Sequence, residues 1–200
     1  MLILGVTGSI ASGKSSAMRC LELLGAVCFS ADEASRVILN GDVDIQRKVI
    51  DLFGNDITSS SGAIDRKLLG QLIFSNKKYR NQLEALLHPP IINLLAAQIE
   101  AVKNDLPAAP AVAVEIPLLF ESHCEYLFEQ IVVVAASEKI QTQRLVSRSG
   151  LTEHEALERI HSQWPIEVKQ TLGNHTVFNE GTKNELCFVI RDVWKKLGLN

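Results

Sequence analysis

The run Gly8-Ser9-Ile10-Ala11-Ser12-Gly13-Lys14-Ser15 sets two glycines, a lysine and a serine in the spacing G-x-x-x-x-G-K-S/T. That spacing suits the binding of a polyphosphate. Glycines let the backbone wrap closely around phosphate oxygens. The N–H groups of residues 9–15 then point inward, and the start of the following helix adds positive potential. Lys14 is placed to reach the β- and γ-phosphates, the Ser15 hydroxyl to ligate Mg²⁺, and Ser16 to touch the α-phosphate. Gly8, Ala11, Ser12 and Gly13 complete the candidate nucleotide-binding set. Context separates this reading from a glycine-rich turn with no ligand: an apolar strand, residues 2–6, precedes the loop, and a helical pattern follows it. The motif specifies a nucleoside triphosphate and leaves the acceptor open.

Other candidate residues fall where such a fold gathers ligands. Asp32 follows the second predicted strand, 26–29, and ligands in open α/β sheets collect outside the carboxyl ends of strands. A carboxylate there either takes a proton from an attacking hydroxyl or caps a helix N-terminus; position alone leaves both open. Arg36 lies one turn on, on the same helical face, where a surface ion pair with Asp32 is enough to account for it. The apolar strand 111–115 ends in Glu115, which is predicted to contact Mg²⁺ through a bound water. The run Pro117-Leu118-Leu119-Phe120-Glu121 follows at once, as core or as pocket wall. Arg144 and Arg148 share one helix, with Arg159 further along. They read either as a solvated face or as a lid whose cations close over a triphosphate. His88, before Pro89, reads on its own as a helix-end cap. Trp164 and Trp194 are expected to pack in core or lid.

The elements that must carry these residues alternate strand and helix. Helices are predicted over about 14–24, 32–40, 42–53, 137–148, 152–163 and 183–197, and strands at 130–134 and 175–178. Thr152 with Glu155 forms a capping box, and the polar run 58–62 reads as a surface turn. Residues 65–103 are mostly helical, with two helices expected to meet at Pro89-Pro90, because proline removes a ladder donor. The pattern is α/β: a three-layer core on a five-stranded parallel sheet. The core is expected at 1–40, 106–136 and 166–200, a helical substrate-binding insert at about 41–105, and a helical lid at about 137–165. With 200 residues and 46% hydrophobic content the chain suits one domain. A net charge of -3 lacks the broad basic footprint of a nucleic-acid binder. No stretch is read as long and apolar enough to cross a bilayer, so no membrane partner is expected. Cys20, Cys28, Cys124 and Cys187 show no metal-ligand spacing and are expected as buried reduced thiols in a cytoplasmic protein.

The ordered set of motifs resembles the dephospho-CoA kinase family along nearly the whole chain. The landmarks are Gly8 to Ser16, Ser30-Ala31-Asp32 with Arg36, Phe53-Gly54, and Asp65-Arg66 with Leu69. Leu87-His88-Pro89, Pro117 to Glu121, Gln141 with Arg144 and Arg148, Gln163, and Asn179 with Gly181 complete the set. The resemblance implies ATP as donor, Mg²⁺ as cofactor, and the ribose 3′-hydroxyl of dephospho-CoA as acceptor. It implies that Asp32 is the acid–base residue, that Arg36, Arg66, His88, Pro117, Leu118 and Glu121 build the acceptor pocket, that Arg144 and Arg148 belong to a lid over ATP, and that Asn179 lies near adenine. Three departures stand out. Ser30 replaces the first acid of an Asp-Ala-Asp motif, Ser9 and Ala11 replace loop glycines, and Gly173-Asn174 stands where the family has Ala-Asp. The competing readings are another P-loop kinase, with a nucleoside, nucleotide or shikimate-like acceptor, and a nucleotide-binding relative without turnover. A GTPase is disfavoured: Asn76-Lys77-Lys78-Tyr79 lacks the acid that reads guanine.

Overall fold

The computed structural model describes residues 1–59 and 62–199. Five strands form one parallel sheet: β1 (Leu2–Thr7), β2 (Val27–Ser30), β3 (Ala111–Glu115), β4 (Gln130–Ala135) and β5 (His175–Phe178), in the order β2-β3-β1-β4-β5. The near-continuous apolar runs of β1, β3 and β4 are buried, as strands covered on both faces require. The chain reverses direction across the sheet at β1, whose neighbours are β3 and β4. Ligands in such sheets bind at the carboxyl ends beside this switch point. The registers Val6↔Glu115 and Ser30↔Glu115 bring the ends of β1, β2 and β3 to one edge.

The helices are α1 (Lys14–Leu23), α2 (Ala31–Gly41), α3 (Val43–Phe53), α4 (Arg66–Ser75), α5 (Lys77–Asp105), α6 (Glu138–Ser149), α7 (Glu153–His161), α8 (Ile166–Leu172) and α9 (Lys183–Lys196). The chain forms two compact units, residues 1–30 with 98–200, and residues 31–97. In the first, Ala17, Cys20 and Leu21 of α1 and Leu186, Ile190 and Trp194 of α9 pack with the sheet residues Leu4, Val6 and Val132. Thr182 and Glu185 cap α9 with a reciprocal capping box, as Thr152 and Glu155 cap α7. The expectation of four reduced thiols is corrected here. Cys20 and Cys187 occupy facing positions on α1 and α9 and are joined by a disulfide, with Cα atoms 5.2 Å apart. Cys28 and Cys124 are free; Cys124 is buried as expected, whereas Cys28 is only half-buried. Trp164, expected to be packed, is instead exposed. The short α8 has no counterpart among the predicted helices.

The second unit has its own core. Ile38 and Leu39 of α2, Ile45 and Val49 of α3, Ile57, Leu69 of α4, and Leu83 and Leu87 of α5 pack together. Asp42 caps α3 by accepting from the Ile45 N–H, and Gly54 ends it. The predicted turn at 58–62 is flanked by a Thr58–Ile64 bridge; its Ser60 and Ser61 lie outside the described residues. Two expectations about the following region are corrected. Pro89 and Pro90 do not divide it, because α5 is one helix of 29 residues that runs through both. Two missing N–H groups cost two ladder bonds, and burial of Leu83 and Leu87 before them and Leu95 and Ile99 after them offsets that loss. By length and composition alone, α5 is also long and apolar enough to cross a bilayer. Its residues Leu83, Leu87, Leu95, Ile99 and Val102 are buried within the protein.

Candidate phosphate-binding site

The loop between β1 and α1 is held by backbone conformation and by braces from two later segments. Gly8 has φ 147° and Gly13 has φ 98°, both in the region that glycine tolerates. A Cβ on Gly8 would lie 2.1 Å from the Val134 carbonyl oxygen, and one on Gly13 would lie 2.0 Å from Asn179 Nδ2. Asn179 is buried. Its Nδ2 donates to the Ser12 carbonyl at 2.7 Å, and its own N–H donates to Ala135 at 2.8 Å. Arg144 Nη1 donates to the carbonyls of Ala11 at 3.2 Å and Ser12 at 3.3 Å, and its Nη2 donates to the Asn179 carbonyl at 3.0 Å. The two side chains therefore fix the loop's carbonyls. Lys14 is buried, and its Nζ donates to the carbonyls of Gly8 at 3.0 Å and Ser9 at 2.9 Å. The ammonium charge is thus held inside the loop, at the N-terminus of α1.

Ser15 Oγ donates to Glu115 Oε1 at 3.3 Å, linking the first turn of α1 to the end of β3. A hydroxyl and a carboxylate are hard oxygen donors, of the kind that would suit a magnesium ion. Beyond Glu115, the Pro117 carbonyl accepts from Thr7 Oγ1 at 3.3 Å and from Lys169 Nζ at 2.9 Å. Glu121 accepts from Lys169 at 2.7 Å. Leu118 is half-buried in the same segment. Gln163 Oε1 accepts the Ile10 N–H at 2.7 Å. Ser16, at the start of α1, is half-buried, and Arg148 is exposed near the end of α6.

In the unit formed by residues 31–97, Asp32 and Arg36 lie in the first turns of α2, directly after β2 in the chain; Asp32 is exposed and Arg36 is exposed beside it. Arg66 opens α4 behind its cap Asp65, and His88 is half-buried in the middle of α5, so it is not at a helix end. Two residues that shape the site carry little signal in the sequence. Lys169 reads there as one surface lysine among many, and Gln163 only as a family landmark. Asn174, in place of a family acid, serves the sheet: its Oδ1 accepts the Ile131 N–H at 2.8 Å, bonding the start of β5 to β4.

A strand, a phosphate loop and a helix at the middle of a five-stranded parallel sheet define a core of the P-loop kinase type. The dephospho-CoA kinase family model matches residues 2–185. A dephospho-CoA kinase from Enterococcus faecalis is 39% identical over 183 residues, which cover 92% of this chain and 90% of the relative. A crystal structure from Thermus thermophilus superposes with a TM-score of 0.79 at 30% identity, covering 98% of this chain and 97% of that one. A dephospho-CoA kinase from Campylobacter jejuni superposes with a TM-score of 0.69 at 26% identity, covering 98% and 96%. The chain belongs to the dephospho-CoA kinase family.

Proposed function

We propose that this chain transfers the γ-phosphoryl group of ATP to the ribose 3′-hydroxyl of dephospho-CoA, giving coenzyme A and ADP. The observation that supports it most is the fully braced phosphate loop, Gly8 to Ser15, within a chain that matches the family over residues 2–185. In this reading the loop amides and Lys14 hold the β- and γ-phosphates. Ser16 touches the α-phosphate, Arg144 and Arg148 neutralise charge on the transferring group, and Asn179 serves the adenine side. Ser15, with Glu115 through a water, would hold Mg²⁺, which supplies charge neutralisation at the β- and γ-oxygens.

Asp32 is the acid–base residue. A bond forms between the 3′-oxygen and the γ-phosphorus, the bond from that phosphorus to the β–γ bridging oxygen breaks, and the hydroxyl proton passes to the Asp32 carboxylate. Arg36, Arg66, His88, Pro117, Leu118 and Glu121 bind the acceptor. ADP release from purified enzyme is expected with dephospho-CoA, and none with a nucleoside monophosphate or shikimate. Asp32→Asn is expected to lower turnover by about 10²–10⁴-fold, the usual range for losing a general base, with ATP affinity kept within about threefold. Turnover confined to a nucleoside monophosphate would reject the acceptor; full turnover of the Asn variant would return Asp32 to the role of a helix cap.

A further inference from the structure

Lys169 is the most deeply buried charged side chain among the described residues, with 0% exposure. An ammonium in that position is costly unless it is paired and hydrogen-bonded. Its Nζ meets two partners: Glu121 Oε1 at 2.7 Å and the Pro117 carbonyl at 2.9 Å. Both belong to the segment that leaves β3 directly after Glu115. The Pro117 carbonyl also accepts from Thr7 Oγ1, the residue before Gly8. Two further bonds come from the chain just before α8. The Trp164 N–H donates to Glu121 Oε1 at 3.4 Å, and Gln163 accepts the Ile10 N–H in the phosphate loop. Residues 163–169 thus touch both the nucleotide loop and the segment 117–121. Glu121 Oε2 is buried with no hydrogen-bond partner among the described residues. Lys169 therefore supplies the cationic partner that keeps this carboxylate inside the protein.

We propose that Lys169 is a positioning residue for phosphoryl transfer. It fixes the Pro117–Glu121 segment against the end of β1 and presents that segment to the acceptor. The assignment of the acceptor rests on the function proposed above; the ordering of the segment does not.

The variant Lys169→Met keeps an unbranched chain of similar length and removes the charge. Steady-state kinetics with ATP and dephospho-CoA are expected to show at least a tenfold rise in the acceptor KM, with the ATP KM within about twofold. Amide hydrogen exchange is expected to quicken at least tenfold at Ser122, His123 and Cys124, whose N–H groups bond back to Leu118, Phe120 and Leu119. The amides of α9 should be unmoved. The double variant K169M/E121Q removes the unpaired charge, so its melting temperature should return toward wild type. Should K169M fail to fold, Glu121→Gln alone carries the exchange measurement, with the same segment affected.

A melting temperature that falls with exchange quickened equally in β4 and α9 would make Lys169 a packing residue and overturn the proposal. So would an acceptor KM and segment exchange that both match wild type. If the wild-type enzyme leaves dephospho-CoA unphosphorylated, the functional reading fails by itself, and the exchange measurement alone decides whether Lys169 orders the segment.

Discussion

Within the phosphate loop, two neighbouring positions with positive φ have opposite tolerances. Gly13→Ala sets a Cβ 2.0 Å from Asn179 Nδ2, at φ 98°. Either the loop shifts or Asn179 leaves the Ser12 carbonyl, and both spoil the amide cradle. ATP affinity, measured by titration calorimetry, should fall at least tenfold, and wild-type affinity would show that Asn179 is not needed to shape the loop. Ala11 already sits at φ 57°, which costs an alanine about 1–2 kcal/mol relative to a right-handed conformation. Ala11→Gly removes that strain but adds about 0.5–1 kcal/mol of unfolded-state entropy, so the melting temperature should barely move. Cys28 lies outside the loop, on β2. Burial, with a smaller contribution from Glu22, pushes its thiol up to about 11. Only roughly one molecule in a thousand carries the thiolate at pH 8, so iodoacetamide should modify it slowly, about tenfold faster per pH unit as pH rises toward 11. Fast labelling at pH 7 would contradict this burial.

Elements differ in how openly they show in a sequence. The phosphate loop is contiguous and its glycines, lysine and serine are fixed in type, so eight residues suffice to read it. Helix α9 is legible from Leu186, Ile190 and Val193, which recur at helical spacing and are buried. Helix α8 is not, because seven residues between Pro165 and Gly173 give too short a pattern. Lys169 is hidden for a related reason: lysine is almost never fully buried, so sequence alone assigns it to the surface, and only tertiary packing reveals its partners. The prolines of α5 mislead in the other direction, since local propensity gives way to burial on either side. The capping box of α9 ties that helix's stability to pH. The Thr182 N–H and hydroxyl both bond Glu185, which holds that carboxyl below its usual range. A lowered value in the folded state means the contribution is present above the unfolded pKa, near 4.5, and fades as pH falls through the folded value. Thr182→Ala should therefore lower the melting temperature at pH 7, and lower it less at acid pH. An equal loss at both would place the effect outside the carboxylate.

At the scale of the whole molecule, the two compact units carry separate cores, and the disulfide belongs to only one of them. Its two sulfurs lie on α1 and α9, 167 residues apart in sequence. That separation is why spacing gives no hint of the pairing. It also makes the crosslink a strong constraint on the unfolded chain, because loop-closure entropy grows with loop length. Native disulfides typically contribute about 2–4 kcal/mol. For a chain of this size each kcal/mol moves the melting temperature by about 2–4 °C, so reduction should lower it by about 5–15 °C. Helices α1 and α9 also pack through Ala17, Leu21, Leu186 and Ile190, an apolar contact that reduction leaves in place. ATP affinity at 25 °C should accordingly be the same before and after reduction. Calorimetry with and without dithiothreitol checks this, together with C20S/C187S, which should melt at the reduced wild type's temperature and ignore the reductant. If two transitions are resolved, only the one belonging to residues 1–30 and 98–200 should move. Identical melting curves for oxidised and reduced protein would mean that the crosslink constrains little beyond what helix packing already fixes.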